Sequence, residues 1–272
     1  MINWLIEEFS RDNSFLEIKD AAERHGHNVK IVGSLAEFSY PEMALFPQKS
    51  NVLFLGSIQC AKQLQKFQTN HCWLPGVWCT WENYCCTKYY AHWGQHVLNR
   101  DYFLMPLADF NRKYIYETRN SGRNLFIRPN GGDKPFTGQV WTLQDLNSRL
   151  WEISTDEMKP DDLLLIAAKQ NIGREWRVVC SEGSVITGSR YKTHGMVDYR
   201  RELPDEVRDF AEMVIQTKWK PDPIYMMDIC EGPNGLALLE IGPFNTSGLY
   251  HCDFDAIVRT VENIYKDFYG VW

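Results

Sequence analysis

The first hundred residues alternate between short apolar runs and segments with helical periodicity. The pattern predicts strands at residues 2–7, Asn28–Val32 and Val52–Leu55, and helices at residues 14–25 and Ile58–Gln68. Ser14 is a candidate N-cap of the first helix, and Gly26 stands just past its end. Strands that alternate with helices indicate a small parallel α/β unit.

Residues 70–81 predict a loop containing tryptophan and proline, residues 82–98 predict a helix, and we place a domain boundary near residue 100. Beyond this boundary, strands are predicted at Leu125–Arg128, Leu163–Ala168, Glu175–Cys180 and Ser184–Ser189. The last two form a predicted hairpin around Glu182 and Gly183. Further helices are predicted at Leu143–Leu150, Pro204–Lys218 and about residues 255–268.

A second predicted hairpin carries two carboxylates in core-like surroundings. Apolar runs containing Asp228 and Glu240 flank the turn sequence at residues 231–235. Because strand side chains alternate between faces, Asp228 shares a face with Met226. A turn centred near Asn234 would place the two carboxylates opposite each other, with their Cβ atoms about 5 Å apart.

Two carboxylates this close repel each other unless they share a proton or a cation. Mg²⁺ prefers oxygen ligands, commonly one or two carboxylates together with nucleotide phosphates. Asn245, in the loop that follows, could add a neutral oxygen. In the alternative interpretation, one carboxylate is exposed and the other is held in a salt bridge. The hairpin alone does not separate the two interpretations.

Composition narrows the class of protein. A chain of 272 residues with 44% hydrophobic residues is typical of a globular protein with two or three subdomains. Its formal net charge of −6 disfavours a broad nucleic-acid-binding surface. No apolar run approaches the roughly 20 residues of a membrane span, and the start lacks the basic region of a signal peptide. The 8 cysteines lie mostly within apolar runs, which fits reduced thiols and a cytoplasmic protein.

Three segments, taken in order, resemble the ATP-grasp superfamily, and specifically its stand-alone members in bacteriophage and bacterial genomes. Residues 125–138 are similar to the family's first nucleotide-contacting strand and its phosphate-covering loop. Residues 163–177 are similar to its hinge strand and the turn that follows. Asp228, Glu240 and Asn245 are similar to its Mg²⁺-binding set.

The resemblance implies a mixed α/β fold that begins with a small parallel domain at residues 1–98. A two-subdomain ATP-grasp domain with antiparallel sheets would follow at residues 99–272, divided into about 99–166 and 167–272. Two positions depart from the family pattern. Arg128 replaces the usual lysine, and the Glu-x-Asn triplet reads Glu240-Ile-Gly242, so the nearest asparagine is Asn245.

The same resemblance implies ATP and Mg²⁺, with two ions expected, as cofactors. Arg128 and Lys134 would bind phosphates, and the alternative for this stretch is a solvated turn. The chain around Ala168, Lys169 and Asn171 would contact the adenine. Glu175 would accept hydrogen bonds from the ribose, or alternatively pair with Arg174 or Arg177.

The expected catalytic residues are Lys134, Arg177 and Arg190. Arg190 belongs to a locally basic patch that could hold an anionic substrate or be a solvated loop. The patch consists of Arg190, Lys192, His194, Arg200 and Arg201.

The activity implied is that of an ATP-dependent carboxylate–amine ligase acting through an acyl phosphate. A small molecule, an amino acid or a peptide would be the substrate, and the sequence does not choose among them or set the oligomeric state. The alternatives are a kinase that phosphorylates a hydroxyl and a nucleotide- or partner-binding protein without catalysis.

A zinc-based interaction module is a further alternative, because cysteine and histidine are dense at His71, Cys72, Cys79, Cys85, Cys86, His92 and His96. The cysteine spacings match no standard zinc module, which favours buried thiols. Trp73, Trp78 and Trp81 in the same region are expected to pack in the core.

Overall fold

The structure, a computed structural model, describes residues 1–8, 14–33, 45–47, 49–68, 73–110, 124–142, 145 and 158–270. The chain forms two compact units. The larger unit takes in Met1–Thr80, Arg174–Ile229 and Glu240–Trp272, and the smaller takes in Trp81–Gly173 and Cys230–Leu239. The predicted helix Leu143–Leu150, Asp145 excepted, and the residues His71 and Cys72 lie outside the described part of the chain.

A four-stranded parallel sheet opens the larger unit, in the order β2-β1-β3-β4. Its strands are β1 (Asn3–Glu7), β2 (Asn28–Val32), β3 (Ser50–Leu55) and β4 (Trp73–Gly76), and its helices are α1 (Ser14–Arg24) and α2 (Ile58–Gln68). Successive residues Trp4, Leu5 and Ile6 are all buried, as expected for a strand covered on both faces. The predicted parallel α/β unit is therefore confirmed.

Two elements of this region differ from their predictions. The loop predicted at residues 70–81 contains β4, a short proline-bearing strand at the edge of the sheet, where a missing backbone N–H is tolerated. The single helix predicted at residues 82–98 is broken into a turn at Trp81–Tyr84, helix α3 (Cys86–Trp93) and a turn at Gly94–His96. Cys85 interrupts it because its backbone is extended, with φ −64° and ψ 137°.

The smaller unit is built on an antiparallel sheet in the order β5-β8-β6-β7. The strands are β5 (Tyr102–Pro106), β6 (Leu125–Pro129), β7 (Gln139–Trp141) and β8 (Leu163–Ala168), with one helical turn at Leu107–Asp109. Phe110, Ile127, Trp141 and Ile166 share its apolar core. The strands β6 and β8 were predicted, whereas β5 and β7 were not.

The third sheet is antiparallel where registers are defined and has the order β11-β10-β9-β12-β13. Its strands are β9 (Arg174–Ser181), β10 (Ser184–Thr193), β11 (Met196–Arg200), β12 (Ile224–Gly232) and β13 (Gly235–Pro243). Glu182 and Gly183 both have positive φ, at 48° and 79°, as a tight hairpin turn requires. Both predicted hairpins are present, and β10 extends beyond its predicted end into a further hairpin with β11.

Helices α4 (Asp205–Ile215) and α5 (Phe254–Tyr269) complete the larger unit. Asp253 caps α5 by accepting a hydrogen bond from the Ala256 N–H, and left-handed Gly270 ends it. One apolar core joins the parallel sheet, α1 and α5 to the five-stranded sheet through residues such as Trp4 and Met226. No helix in the described ranges is long and apolar enough to cross a membrane.

Candidate active site

One face of the five-stranded sheet changes from apolar to charged along its strands. Val179 on β9 and Met226 on β12 belong to the buried core of the larger unit. Two residues further along, on the same face, stand Arg177 and Asp228, and Glu175 follows Arg177. The apolar part of the face therefore positions the charged part and limits its exposure to water.

Arg177 and Asp228 form a bidentate ion pair between neighbouring strands. Arg177 donates from Nε to Oδ1 and from Nη2 to Oδ2 of Asp228, both at 2.8 Å. The side chains are 12% and 4% exposed, so the pair is largely desolvated. Burial alone would lower the pKa of Arg177, but the charge and hydrogen bonds of Asp228 raise this pKa well above its ordinary value.

Tyr191 on β10 links the second carboxylate to this pair. Its hydroxyl lies 2.7 Å from Glu175 Oε2, to which it donates, and 3.5 Å from Asp228 Oδ2. Burial raises the pKa of Glu175, and the charges of Asp228 and Glu240 add to this effect, while the Tyr191 hydrogen bond and Lys192 oppose it. Glu175 is thus a buried carboxylate whose charged form is disfavoured.

Glu240 on β13 belongs to the same electrostatic cluster. It raises the pKa of both Glu175 and Tyr191, as Asp228 does. The predicted alignment of Asp228 opposite Glu240 stays a prediction. Three carboxylates in mutual electrostatic range, all oxygen donors, favour the binding of a hard cation.

The described residues contain no group of three or more His, Cys, Asp or Glu side chains arranged to hold a metal alone. This does not conflict with Mg²⁺, which commonly uses one or two carboxylates and takes its remaining ligands from phosphates and water. Each carboxylate oxygen of Asp228 has a lone pair beyond the one used by Arg177. Asp228 and Glu240 therefore fit the donor set for this ion.

The loop after β13 wraps around Arg177. Gly248 accepts a hydrogen bond from Arg177 Nη1 at 3.0 Å, and the guanidinium lies 4.9 Å from the ring centre of Tyr250. Tyr250 stacks between Tyr191 and Tyr199, with ring centres 5.1 and 5.2 Å apart. Its φ of 49° is unusual for an aromatic residue, so these contacts hold a strained backbone at the site.

Asn245 has two partners, and both belong to the backbone. Its Oδ1 accepts a hydrogen bond from the Trp78 N–H at 2.8 Å, and its Nδ2 donates to the Phe54 carbonyl. The side chain is 1% exposed. These contacts give Asn245 a structural role, and its assignment as a metal ligand stays a prediction.

Gly242 stands where the family pattern has asparagine. A Cβ atom at Gly242 would lie 3.1 Å from the Ser247 hydroxyl oxygen, which donates to the Pro243 carbonyl. An oxygen from the next loop therefore occupies space close to the position of the absent side chain.

Arg190 does not stand free to bind an anion. Its guanidinium forms ion pairs with Asp198 at 3.2 Å and Glu202 at 3.2 Å. Asp198 also binds Arg200, at 3.0 Å. The expected catalytic role of Arg190 stays a prediction, and it would require exchange of these partners.

In the smaller unit, Arg128 is buried and donates to the Tyr89 hydroxyl at 3.3 Å. Asn130 begins the loop after β6 and caps α3. Its carbonyl accepts from the Cys86 N–H, and its side-chain oxygen accepts from the Thr87 N–H, both at 2.9 Å. The predicted phosphate-covering loop is therefore attached to a helix at its first residue.

Two further residues of this loop have restricted geometry. Gly132 is buried, and a Cβ there would lie only 2.5 Å from Tyr84 Cβ and 2.7 Å from the Trp81 carbonyl. Lys134 is half-buried and has a left-handed φ of 42°. Both positions favour a defined loop conformation over a fully solvated turn.

The three residues predicted to contact the adenine lie at or beyond the end of β8. Ala168, Lys169 and Asn171 are exposed. The Lys169 N–H donates to the Asn124 carbonyl at 3.1 Å. The chain thus leaves the sheet at the predicted place, and the nucleotide contacts themselves stay a prediction.

The cysteines of the described chain are free thiols. Cys79 and Cys86 are buried, and burial raises the pKa of Cys79. Trp73 and Trp78 are buried as well, and Trp78 belongs to the main core. The predicted packing role fits both tryptophans.

Sequence reasoning missed Tyr191 and Tyr250. Tyr191 is two residues from Thr193 at the end of β10 and three strands away from Glu240, so no local motif links them. Alternation along β10 was the one available signal, but the predicted strand ended at Ser189. Tyr250 was recognised only as the end of the carboxylate-bearing segment.

A parallel α/β sheet followed by two antiparallel sheets, with a carboxylate–arginine cluster on the last, defines an ATP-grasp protein. The model of an ATP-grasp domain, family 3 of its clade, matches residues 61–261, and the chain belongs to this family. The predicted superfamily and the mixed α/β fold class are both confirmed. A comparison with curated proteins finds no match.

Solved structures share the fold over nearly their whole length. D-cycloserine synthetase DcsG has a TM-score of 0.66 at 13% identity, covering 97% of this chain and 99% of its own. D-alanine–D-alanine ligase from Bacillus anthracis has 0.56 at 11%, covering 97% and 92%. ATP-grasp ligase PsnB, in complex with a variant precursor, Mg and ADP, has 0.54 at 13%, covering 96% and 97%. Identities this low show the shared fold alone.

Proposed function

We propose that the protein is an ATP-dependent carboxylate–amine ligase that uses Mg²⁺. The observation that carries the proposal is the buried cluster of Glu175, Asp228 and Glu240 around Arg177 on the five-stranded sheet. Family membership and neighbours named as ligases support the same class of reaction.

Asp228 and Glu240 would hold Mg²⁺, with Asn245 or the nearby Ser247 hydroxyl as candidate neutral oxygens. The ion would offset the charge of the phosphates and orient them. PsnB, which shares the fold, was solved with Mg and ADP. Two ions, as the sequence suggested, are part of the proposal.

Nucleotide contacts would come from residues whose backbone or charge suits them. Arg128 and Lys134 would bind phosphate oxygens, and Ala168, Lys169 and Asn171 would line the adenine. Glu175 would accept hydrogen bonds from the ribose hydroxyls. Its preference for a neutral or fully hydrogen-bonded form suits a ligand that donates two such bonds.

In the reaction, a substrate carboxylate oxygen would attack the γ-phosphorus of ATP and release ADP. An amine would then attack the acyl carbon, which forms the amide and releases phosphate and a proton. Arg177, fixed by Asp228, Gly248 and Tyr250, is pre-positioned to stabilise charge on the transferring phosphoryl group. Lys134 and Arg190 are the other proposed catalytic cations.

The test is trapping of the acyl phosphate. The protein would be incubated with MgATP, hydroxylamine and panels of amino acids and peptides, and the products analysed by mass spectrometry. A ligase gives a hydroxamate of the substrate in the presence of hydroxylamine and an amide in the presence of the natural amine. A stable phosphorylated product that needs no amine would identify a hydroxyl kinase instead. The Asp228→Asn variant is the matched inactive control.

A further inference from the structure

The larger unit contains a cavity of about 260 Å³ beside the charged cluster. Its apolar wall is formed by Ile6, Phe15, Ile18 and Leu55 from the parallel sheet and α1. Tyr199 and Tyr250 line it from β11 and the loop after β13. Both sources of the wall belong to one compact unit, so the cavity is part of its architecture.

Among the described residues, no charged side chain lines this cavity. The polar groups present are short hydroxyls, backbone of glycines, and the Asn245 amide, which is already bonded to Phe54 and Trp78. Burying a charged group there would leave that group without an ionic partner, which is strongly unfavourable. The lining therefore selects for an uncharged, mainly apolar occupant.

The size of the cavity agrees with one large apolar side chain. An apolar protein cavity of about 150 Å³ can bind benzene. A volume of about 260 Å³ can therefore hold a phenyl or branched aliphatic group, with room for part of the attached backbone.

The cavity is coupled to the ion pair by two lining residues. Gly248 accepts the hydrogen bond from Arg177 Nη1, and Tyr250 carries the Arg177 guanidinium over its ring. An occupant that touches this loop thus touches the group that fixes Arg177. Such contact would place the reacting end of the occupant near Arg177 and Asp228.

We propose that this cavity is the specificity pocket of the enzyme and binds the apolar side chain of an amino-acid or peptide substrate. Leucine-like and phenylalanine-like side chains fit, whereas glutamate and lysine side chains are rejected. The inference rests on the proposed function for the reaction, but the binding itself does not require ATP turnover.

The test uses two independent readouts on the full chain. Saturation-transfer NMR without ATP measures binding of Phe, Leu, Glu and Lys, each as the free amino acid and as the second residue of an alanyl dipeptide. ADP release with MgATP measures turnover of the same compounds. We expect binding and turnover to favour the apolar members by at least about 100-fold, as a desolvated pocket can.

The Thr246→Trp variant places an indole at a half-buried lining position and should reduce binding of the apolar probes by at least tenfold. Thr260→Trp, at a half-buried position on α5 outside the cavity, is the matched control and should leave binding unchanged. Thermal unfolding verifies that both variants fold.

The two proposals fail in different ways. Apolar probes that bind and are displaced by the Thr246→Trp change, without any ADP release, would support the pocket and contradict the ligase. ADP release that is equal for charged and apolar substrates, and unaffected by Thr246→Trp, would overturn the pocket and leave the ligase standing. No binding of any apolar probe would also overturn the pocket.

Discussion

Arg177 on β9 and Asp228 on β12 face each other in two parallel hydrogen bonds of 2.8 Å, inside a sheet face that is otherwise core. This geometry makes each residue the main electrostatic partner of the other. A change in one of them should therefore affect both folding and chemistry, and the two effects can be separated.

Asp228→Asn should remove at least about 99% of ADP release, because it weakens the proposed Mg²⁺ ligand. It should also lower the free energy of unfolding by about 3–5 kcal/mol, because the buried Arg177 charge loses its partner. Urea denaturation and an ADP-release assay measure the two effects.

The double variant Arg177→Met with Asp228→Leu is the control for stability. Replacing a buried ion pair by apolar residues is often neutral or stabilising, so this variant should recover the free energy of unfolding and remain inactive. Wild-type activity in either variant would remove the Arg177–Asp228 pair from the proposed site.

Glu175→Gln should stabilise the protein at neutral pH. Burial and the neighbouring carboxylates raise the pKa of Glu175, so the folded state holds its proton more tightly than the unfolded state does. Stability from this group is therefore lost as the pH rises from about the ordinary value of 4.5 through the raised pKa. Thermal unfolding from pH 4 to pH 8 should show a gain for the variant that grows with pH.

The same variant should bind ATP at least about tenfold more weakly, because an amide oxygen replaces the carboxylate that would accept two ribose hydrogen bonds. Isothermal titration with MgATP measures this. Increased stability together with unchanged nucleotide affinity would mean that Glu175 faces no ribose.

Asn245→Ala tests whether this residue is structural. It would leave the Trp78 N–H and the Phe54 carbonyl buried without partners, and should lower the free energy of unfolding by about 2–6 kcal/mol. Guanidinium denaturation should give the same loss in EDTA as in Mg²⁺. Asn234→Ala, at an exposed turn position, is the control. A loss that appears only with Mg²⁺ and nucleotide would make Asn245 a metal ligand.

Gly132→Ala should displace the loop that follows β6. The added Cβ would lie 2.5 Å from Tyr84 Cβ, so the loop must move away from the turn before α3. We expect the KM for ATP to rise at least about tenfold and stability to fall by about 1–3 kcal/mol. Gly94→Ala, where nothing lies within 4 Å and φ is −57°, should be neutral or slightly stabilising.

The parts of the fold with local signals could be predicted. The alternation of strand β1, the helical periodicity of α1 and the turn at Glu182 and Gly183 each reflect a few neighbouring residues. Strand β4 could not be predicted, because it is held by pairing with β3 and carries proline. Its existence depends on the sheet and not on its own sequence.

The site shows the same division. Asp228 could be identified because a carboxylate in an apolar strand is conspicuous. Its partner Tyr191 could not, because the contact depends on the order β10-β9-β12, which no local pattern determines. The buried partners of Asn245 likewise lie 167 and 191 residues away.

Asn130 has a consequence for how the loop after β6 can be observed. Its carbonyl and side chain together protect the first two amide hydrogens of α3, those of Cys86 and Thr87. Any opening that pulls Asn130 away must release both hydrogens to exchange with solvent. The exchange rates of these two amides in D₂O are therefore a natural reporter of the loop, readable with and without nucleotide and without any label.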